Sequence, residues 1–171
     1  MKSEAIVELG KPLQTIESET PEPKGKEVLL KITHSGVCHS DVHIHDGYFD
    51  LGGGNKLPVG QMLNLPHTMG HEIEGEVAAI GPDVTDVEIG ANVVAYPWIG
   101  CGECATCKAG DEHYCNAPRQ LGIQLPGGFA DYCIVPDSKY VLDYTGIRPG
   151  LAATYMCSGL TAFGALKKFV N

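Results

Sequence analysis

Positive charge is scarce in this chain: 12 Lys and Arg stand against 21 Asp and Glu in 171 residues, a net charge of −9 with histidine neutral. A phosphate backbone is bound by clustered basic side chains, so a nucleic-acid partner is disfavoured. Long apolar runs are missing as well. No stretch approaches the ~20 residues that a membrane-spanning helix needs, and no membrane partner is expected. The start, "MKSEAIVELGKP", lacks an apolar core region and a small-residue cleavage site, so it does not read as a secretory leader. Repeats and low-complexity tracts are absent. The three glycines of "DLGGGNKLPVGQ" are not followed by Gly-Lys-Ser/Thr, which excludes a phosphate cradle and leaves a flexible surface hairpin. The length suits one domain with its own core better than two.

What is present, up to about residue 147, is a succession of short strand patterns punctuated by Gly and Pro. "EVLLKITH" alternates, with Val28, Leu30 and Ile32 on one face and Lys31 and Thr33 on the other. "IEGEVAAIG", "ANVVAYP", "FADYCIVP" and "YVLDY" follow, rich in β-branched and aromatic residues. This regular spacing predicts a barrel-like or sandwich-like antiparallel fold. The pattern changes after Pro149. Leu160, Phe163, Leu166 and Val170 recur at helical spacing, predicting an amphipathic helix with Lys167 and Lys168 in its last turn, where positive charge suits the dipole.

Seven cysteines divide into a cluster, Cys101, Cys104, Cys107 and Cys115, and three scattered residues, Cys38, Cys133 and Cys157. Clustering in a chain without an export signal points to metal ligation and to a reducing, cytoplasmic location. The run "CGECATCKAGDEHYC" spells C-x2-C-x2-C-x7-C, which can close four thiolates around a tetrahedral Zn²⁺. An iron–sulfur run would end in C-x3-C-P, and this one does not. Four sulfur ligands leave no open position, so such a site is structural. A second constellation begins in "GVCHSDVHIHDG", dense in Cys, His and Asp, where no side chain suffices alone. A lone Cys reads equally as a small buried hydrophobe.

Taken together, four motifs resemble one family. "GHEIEGEVAAIGPDV" fits the G-H-E-x2-G-x5-G-x2-[apolar] signature of the medium-chain zinc-dependent alcohol dehydrogenases. "GVCHSD" is similar to their first catalytic-zinc segment, the four-cysteine lobe follows in order, and "CSGLTAFGAL" resembles the segment of the third ligand. The resemblance spans essentially the whole chain. It implies a mainly β fold with short helices: a GroES-like, partly open antiparallel β-barrel with a zinc-binding lobe at about 97–118 and a C-terminal helix. Residues 1–150 would form the catalytic domain, and 151–171 would start a connecting helical segment.

The resemblance also implies roles. Cys38, His71 and Cys157 would hold a catalytic zinc with a fourth position open, and Cys101, Cys104, Cys107 and Cys115 a structural one, giving two Zn²⁺ per chain. Ser40 would meet the substrate oxygen, and His43, with the cofactor ribose, would pass the proton outward. His39 would face the cofactor pyrophosphate, more weakly than an arginine. Asp41 would orient His71, Glu72 would stand beside the metal, and Thr161 near the nicotinamide. Trp98 resembles an aromatic of the substrate pocket, its alternative being a partly buried core residue. Tyr48 and Phe49 hint at an apolar pocket. His34, His45, Asp46, His67 and His113 match no role, and Cys133 reads as a buried thiol.

The family's cofactor domain is announced by G-x-G-x-x-G between a strand and a helix, and the sequence contains no such motif. The chain is therefore expected to be the catalytic domain of a longer parent, inactive alone. That parent would be a homo-oligomer, a dimer or tetramer, that converts small alcohols to aldehydes or ketones with NAD or NADP. The alternative is a non-catalytic zinc-binding GroES-like scaffold, which needs only the four-cysteine metal. Hydrolysis at the open zinc is a weaker third reading, because no oxyanion donors are identifiable.

Overall fold

The computed structural model describes residues 1–170. Ten short strands dominate: β1 (Lys2–Ile6), β2 (Gln14–Glu17), β3 (Val28–Gly36), β4 (Tyr48–Asp50), β5 (Lys56–Pro58), β6 (His67–Thr68), β7 (Glu72–Ile80), β8 (Asn92–Ala95), β9 (Tyr132–Val135) and β10 (Val141–Asp143). The largest sheet has five strands in the order β10-β8-β7-β3-β9, every pairing antiparallel. A three-stranded sheet, β2-β1-β6, and the hairpin β4-β5 complete the set. The sheets stay open, so the fold is mainly β with short helices, as the sequence predicts.

Alternation along β3 explains most of the core. Val28 and Leu30 are fully buried, and Lys31 and Thr33 are exposed. Leu29 departs from the pattern and is buried on the other face, where the pairing with β7 slips by one residue between Leu29 and Leu30. In register, Val28 lies opposite Ile80 and Val135, and Leu30 opposite Val77 and Cys133. These pairs join Ile73, Val93, Ala95 and Leu121 in one apolar cluster. The second cluster, Ile6, Ile44 and Met69, seats the first helix against the smaller sheet. The three glycines, all of positive φ, do fall in a hairpin, within the turn at residues 51–55 between β4 and β5.

The helices are α1 (His39–Asp46), α2 (Ala105–Lys108), α3 (Ala152–Thr154) and α4 (Leu160–Lys167). A π-turn, Tyr155–Gly159, joins α3 to α4 and carries Cys157. The terminal helix forms, but its predicted stripe does not pack: Phe163, Leu166 and Val170 are 63%, 64% and 80% exposed, and Val170 lies beyond the helix. Lys167 is in the last turn, and Lys168 is the cap. The side chains that dock this segment are earlier ones, Ala152, Ala153 and Cys157. No helix of the described residues is long and apolar enough to cross a membrane.

Candidate metal centres

The four lobe cysteines converge as their spacing implies. Cys104 Sγ lies 3.5 Å from Cys107 Sγ and 3.8 Å from Cys115 Sγ, and Cys101 Sγ lies 3.9 Å from Cys107 Sγ. Sulfurs at ~2.3 Å from a tetrahedral zinc stand ~3.8 Å apart, so the cage has the size of that ion. Backbone N–H groups point at the sulfurs: Cys101 N–H at Cys115, Cys104 N–H at Cys101, Cys107 N–H at Cys104, all within 3.4 Å. Such donors favour thiolates. The N–H groups of Glu103 and Cys104 draw Cys101 down to about 6. Burial pushes Cys107 up to about 12. Four thiols this close cannot all ionise without a cation among them, which fits a bound metal.

The second centre is assembled from three distant parts of the chain. Cys38 precedes α1, His71 precedes β7, and Cys157 sits in the π-turn; their ligand atoms lie within 4.8 Å of one another. Cys38 Sγ and Cys157 Sγ are 3.9 Å apart. His71 is wholly buried, and its Nε2 has no hydrogen-bond partner. An unpaired buried nitrogen costs about 1–3 kcal/mol unless something unseen by the protein's own atoms takes it up. Two thiols and one orphaned imidazole nitrogen make a donor set suited to zinc, with three ligands and room for a fourth. Burial alone would lower the His71 pKa, but the pull of Asp41 and of the Cys157 sulfur raises it to about 11.

Asp41 ties Cys38 and His71, two of the candidate ligands, together. One carboxylate oxygen accepts from the Cys38 backbone N–H at 2.9 Å, and the other lies 3.2 Å from His71 Nδ1 and 3.3 Å from the Gly70 N–H. That single side chain, 2% exposed, starts α1 and leaves His71 Nε2 aimed at the sulfurs. Glu72 ties the third. Its Oε1 accepts from Ser158 N–H at 3.2 Å and Ser158 Oγ at 2.7 Å, one residue past Cys157. Position 36 must be glycine for this, because a Cβ there would meet Glu72 Oε2 at 2.3 Å.

Of the other predicted residues, Ser40 and Trp98 neighbour this centre. Ser40 Oγ is 3.8 Å from Cys38 Sγ. His39 and His43, one helical turn apart, stack at 4.7 Å, and His43 packs on Phe49 at 4.8 Å. The Trp98 ring is 5.9 Å from that of His71, and its Nε1 donates to the Met156 carbonyl at 2.9 Å. Trp98 and Thr161 share a groove of about 550 Å³ with Tyr96, Tyr114 and Phe163. Tyr48 is in β4 and does not line that groove. The histidines without a predicted role have ordinary bonds: His45 Nε2 to the Lys11 carbonyl at 2.7 Å, and buried His67 Nε2 to the Gly122 carbonyl at 3.1 Å. His113 packs on Tyr114 at 4.0 Å. Cys133 is 3% exposed, and burial pushes it up to about 12.

Two carboxylates escape sequence reasoning. Glu112, inside the lobe, accepts from Lys139 Nζ at 2.6 Å, from the Tyr140 hydroxyl and from the Gly100 N–H at 3.4 Å. Glu74, on β7, is 1% exposed. The available signal was three glutamates alternating along one strand, Glu72, Glu74 and Glu76, a pattern that reads as a solvent face until the sheet shows Glu72 and Glu74 buried and Glu76 alone exposed.

The Alcohol dehydrogenase GroES-like domain family model matches residues 24–157. An NAD-dependent alcohol dehydrogenase of Saccharolobus solfataricus is 42% identical over 98% of this chain and 48% of its own length. An alcohol dehydrogenase of Geobacillus stearothermophilus is 34% identical over 98% and 47%. Among solved structures, a thermostable alcohol dehydrogenase from Pyrobaculum aerophilum superposes with a TM-score of 0.82 at 31% identity, covering 98% of this chain and 47% of the other. The cobalt- and zinc-bound structure from the same organism gives 0.81 at 31% identity, over 98% and 48%. The chain thus spans about half the length of the curated relatives it matches.

Proposed function

This chain belongs to the alcohol dehydrogenase family with the GroES-like domain, and from that premise we infer that it is the catalytic portion of a zinc- and NAD(P)-dependent alcohol dehydrogenase. The observation that carries the reading is the convergence of Cys38, His71 and Cys157 around an unpaired imidazole nitrogen. Residues 1–150 make the catalytic domain, with the lobe at 97–118, and 151–171 begin the connection to a cofactor domain. The overall reaction interconverts a small alcohol with an aldehyde or ketone.

Cys38, His71 and Cys157 would hold one zinc, and Cys101, Cys104, Cys107 and Cys115 a second that keeps the lobe folded. Zinc at the first centre supplies Lewis acidity, which eases loss of the alcohol proton. NAD or NADP, when bound, supplies the hydride acceptor. Ser40 Oγ would meet the substrate oxygen and accept its proton, and His43, with the cofactor ribose, would carry a proton outward to solvent. Ser40 and His43 are three residues apart on α1, hence neighbours on its surface, beside the stripe of buried Asp41 and Ile44. His39, on that same side, and Thr161, at the start of α4, face the cofactor. Trp98 walls the substrate pocket and excludes water from it.

The test is the zinc content of the purified chain beside Cys38→Ala and Cys104→Ala. Two zincs, falling to one in folded Cys38→Ala, support the reading. One zinc that survives Cys38→Ala and is lost with Cys104→Ala would instead favour a zinc-binding scaffold.

A further inference from the structure

β7 sends two carboxylates beneath the segment that carries Cys157. Glu72 and Glu74 share a face of the strand and are 2% and 1% exposed. Glu72 holds Ser158, as described. Glu74 has no part in that account, yet a carboxylate so deeply buried is tolerated only when its oxygens are bonded. Both its oxygens lie 3.0 Å from the Gly150 N–H. Its Oε1 also accepts from the Tyr144 hydroxyl at 3.2 Å and stands 3.1 Å from His34 Nδ1. Three partners thus converge on one side chain, and two of them, Tyr144 and Gly150, belong to the stretch just before α3.

Gly150 has φ +79°, and a Cβ there would stand 3.3 Å from the His34 ring, so the backbone runs pressed against β3 at this point. Directly afterwards the chain enters α3, whose Ala152 and Ala153 are each 1% exposed, and then the π-turn that presents Cys157. Residues 150 to 158 are therefore pinned at both ends by carboxylates of one strand. Glu74 holds the entrance and Glu72 the exit. The residue immediately before that strand is His71. A single rigid element thereby sets the spacing between His71 and Cys157, through the chain on one side and two carboxylates on the other.

We propose that Glu74 is a positioning residue for Cys157, placing its sulfur opposite His71 by anchoring Gly150 and Tyr144. The proposal rests on the reading that Cys38, His71 and Cys157 hold a metal. Without Glu74 the entrance of α3 is free to shift, and the third ligand loses its fixed place while the four-cysteine lobe, whose sulfurs contact one another and the backbone of residues 101–117, keeps its own.

The test uses the zinc-loaded chain and a chromophoric chelator, with release followed from both centres, and the visible spectrum of the cobalt-loaded chain as a second readout. Glu74→Ala should speed release from the Cys38–His71–Cys157 centre by about 10-fold or more, the range for loss of a group that orients a ligand. Lobe metal should leave at its wild-type rate. Glu74→Gln, whose carbonyl oxygen still accepts from Gly150, should restore part of the effect and return the cobalt spectrum toward wild type. Tyr144→Phe should give a smaller acceleration, and with Glu74→Gln it carries the test should Glu74→Ala not fold. Unchanged release, or equal acceleration at both centres, overturns the role of Glu74 and leaves the proposed function standing. A wild-type chain that binds only the lobe metal overturns both.

Discussion

Asp41 shows how much one side chain can organise. It caps α1 through the Cys38 N–H and holds the His71 ring, so two of the three proposed ligands depend on it. Asp41→Asn keeps the shape but replaces one acceptor oxygen by a donor, and it should weaken metal binding at the Cys38–His71–Cys157 centre by roughly 10–100-fold. Chelator competition on the folded variant measures this, and an unaltered affinity would count against the role. At this scale the sequence was most legible where chemistry and spacing coincide. The spacing C-x2-C-x2-C-x7-C announces four sulfurs able to close around one metal, and the four do converge. Glu74 was illegible, because a glutamate on a strand has no mark that distinguishes a buried anchor from a solvated side chain until its neighbours across the sheet are placed.

Among the elements, the cysteine lobe would depend on its own metal, and one of its ties runs to Lys139 and Tyr140, just before β10. Cys104→Ala should remove the lobe metal and expose the amides of residues 97–118 to hydrogen exchange, while β3 and β7 stay protected. Protection lost evenly across the chain would refute that independence. The tie is Glu112. Burial pushes its carboxyl up, but the bonds from Lys139, Tyr140 and the Gly100 N–H outweigh this and leave it below the usual carboxylate range. A depressed carboxyl contributes stability that is full above its unfolded pKa of about 4.3 and is lost as pH falls through the folded value. Glu112→Gln should therefore be less stable than wild type near neutral pH, with the gap closing in acid. Denaturant midpoints across that range check the sign. The terminal helix teaches a different lesson: its period was readable in the sequence, but its packing was not. Helical spacing says which residues share a face, and only the tertiary structure says whether anything covers it.

For the molecule as a whole, two consequences follow. Hydride transfer needs a nicotinamide held beside the metal, and positioning supplies much of the rate. No G-x-G-x-x-G occurs in these 171 residues. The purified chain should therefore show negligible alcohol oxidation with NAD or NADP, and robust turnover would contradict this. Phe163, Leu166, Phe169 and Val170 leave an apolar surface of the kind that drives association. Sedimentation should show self-association rising with concentration, reduced in Phe163→Ser; a monomer throughout would refute it. By itself the sequence determined the strand-rich class, the four-cysteine cage and the family, since each is written in short-range spacing or in motifs whose order survives without coordinates. The resemblance implied that Cys38, His71 and Cys157 meet beside Asp41 and Glu72; only the tertiary structure showed that they do, that buried Glu74 bonds Gly150 and Tyr144, and that the last helix face stays bare. The reason is that contacts between residues far apart in the chain depend on sheet register and on burial, and neither is encoded in any single stretch.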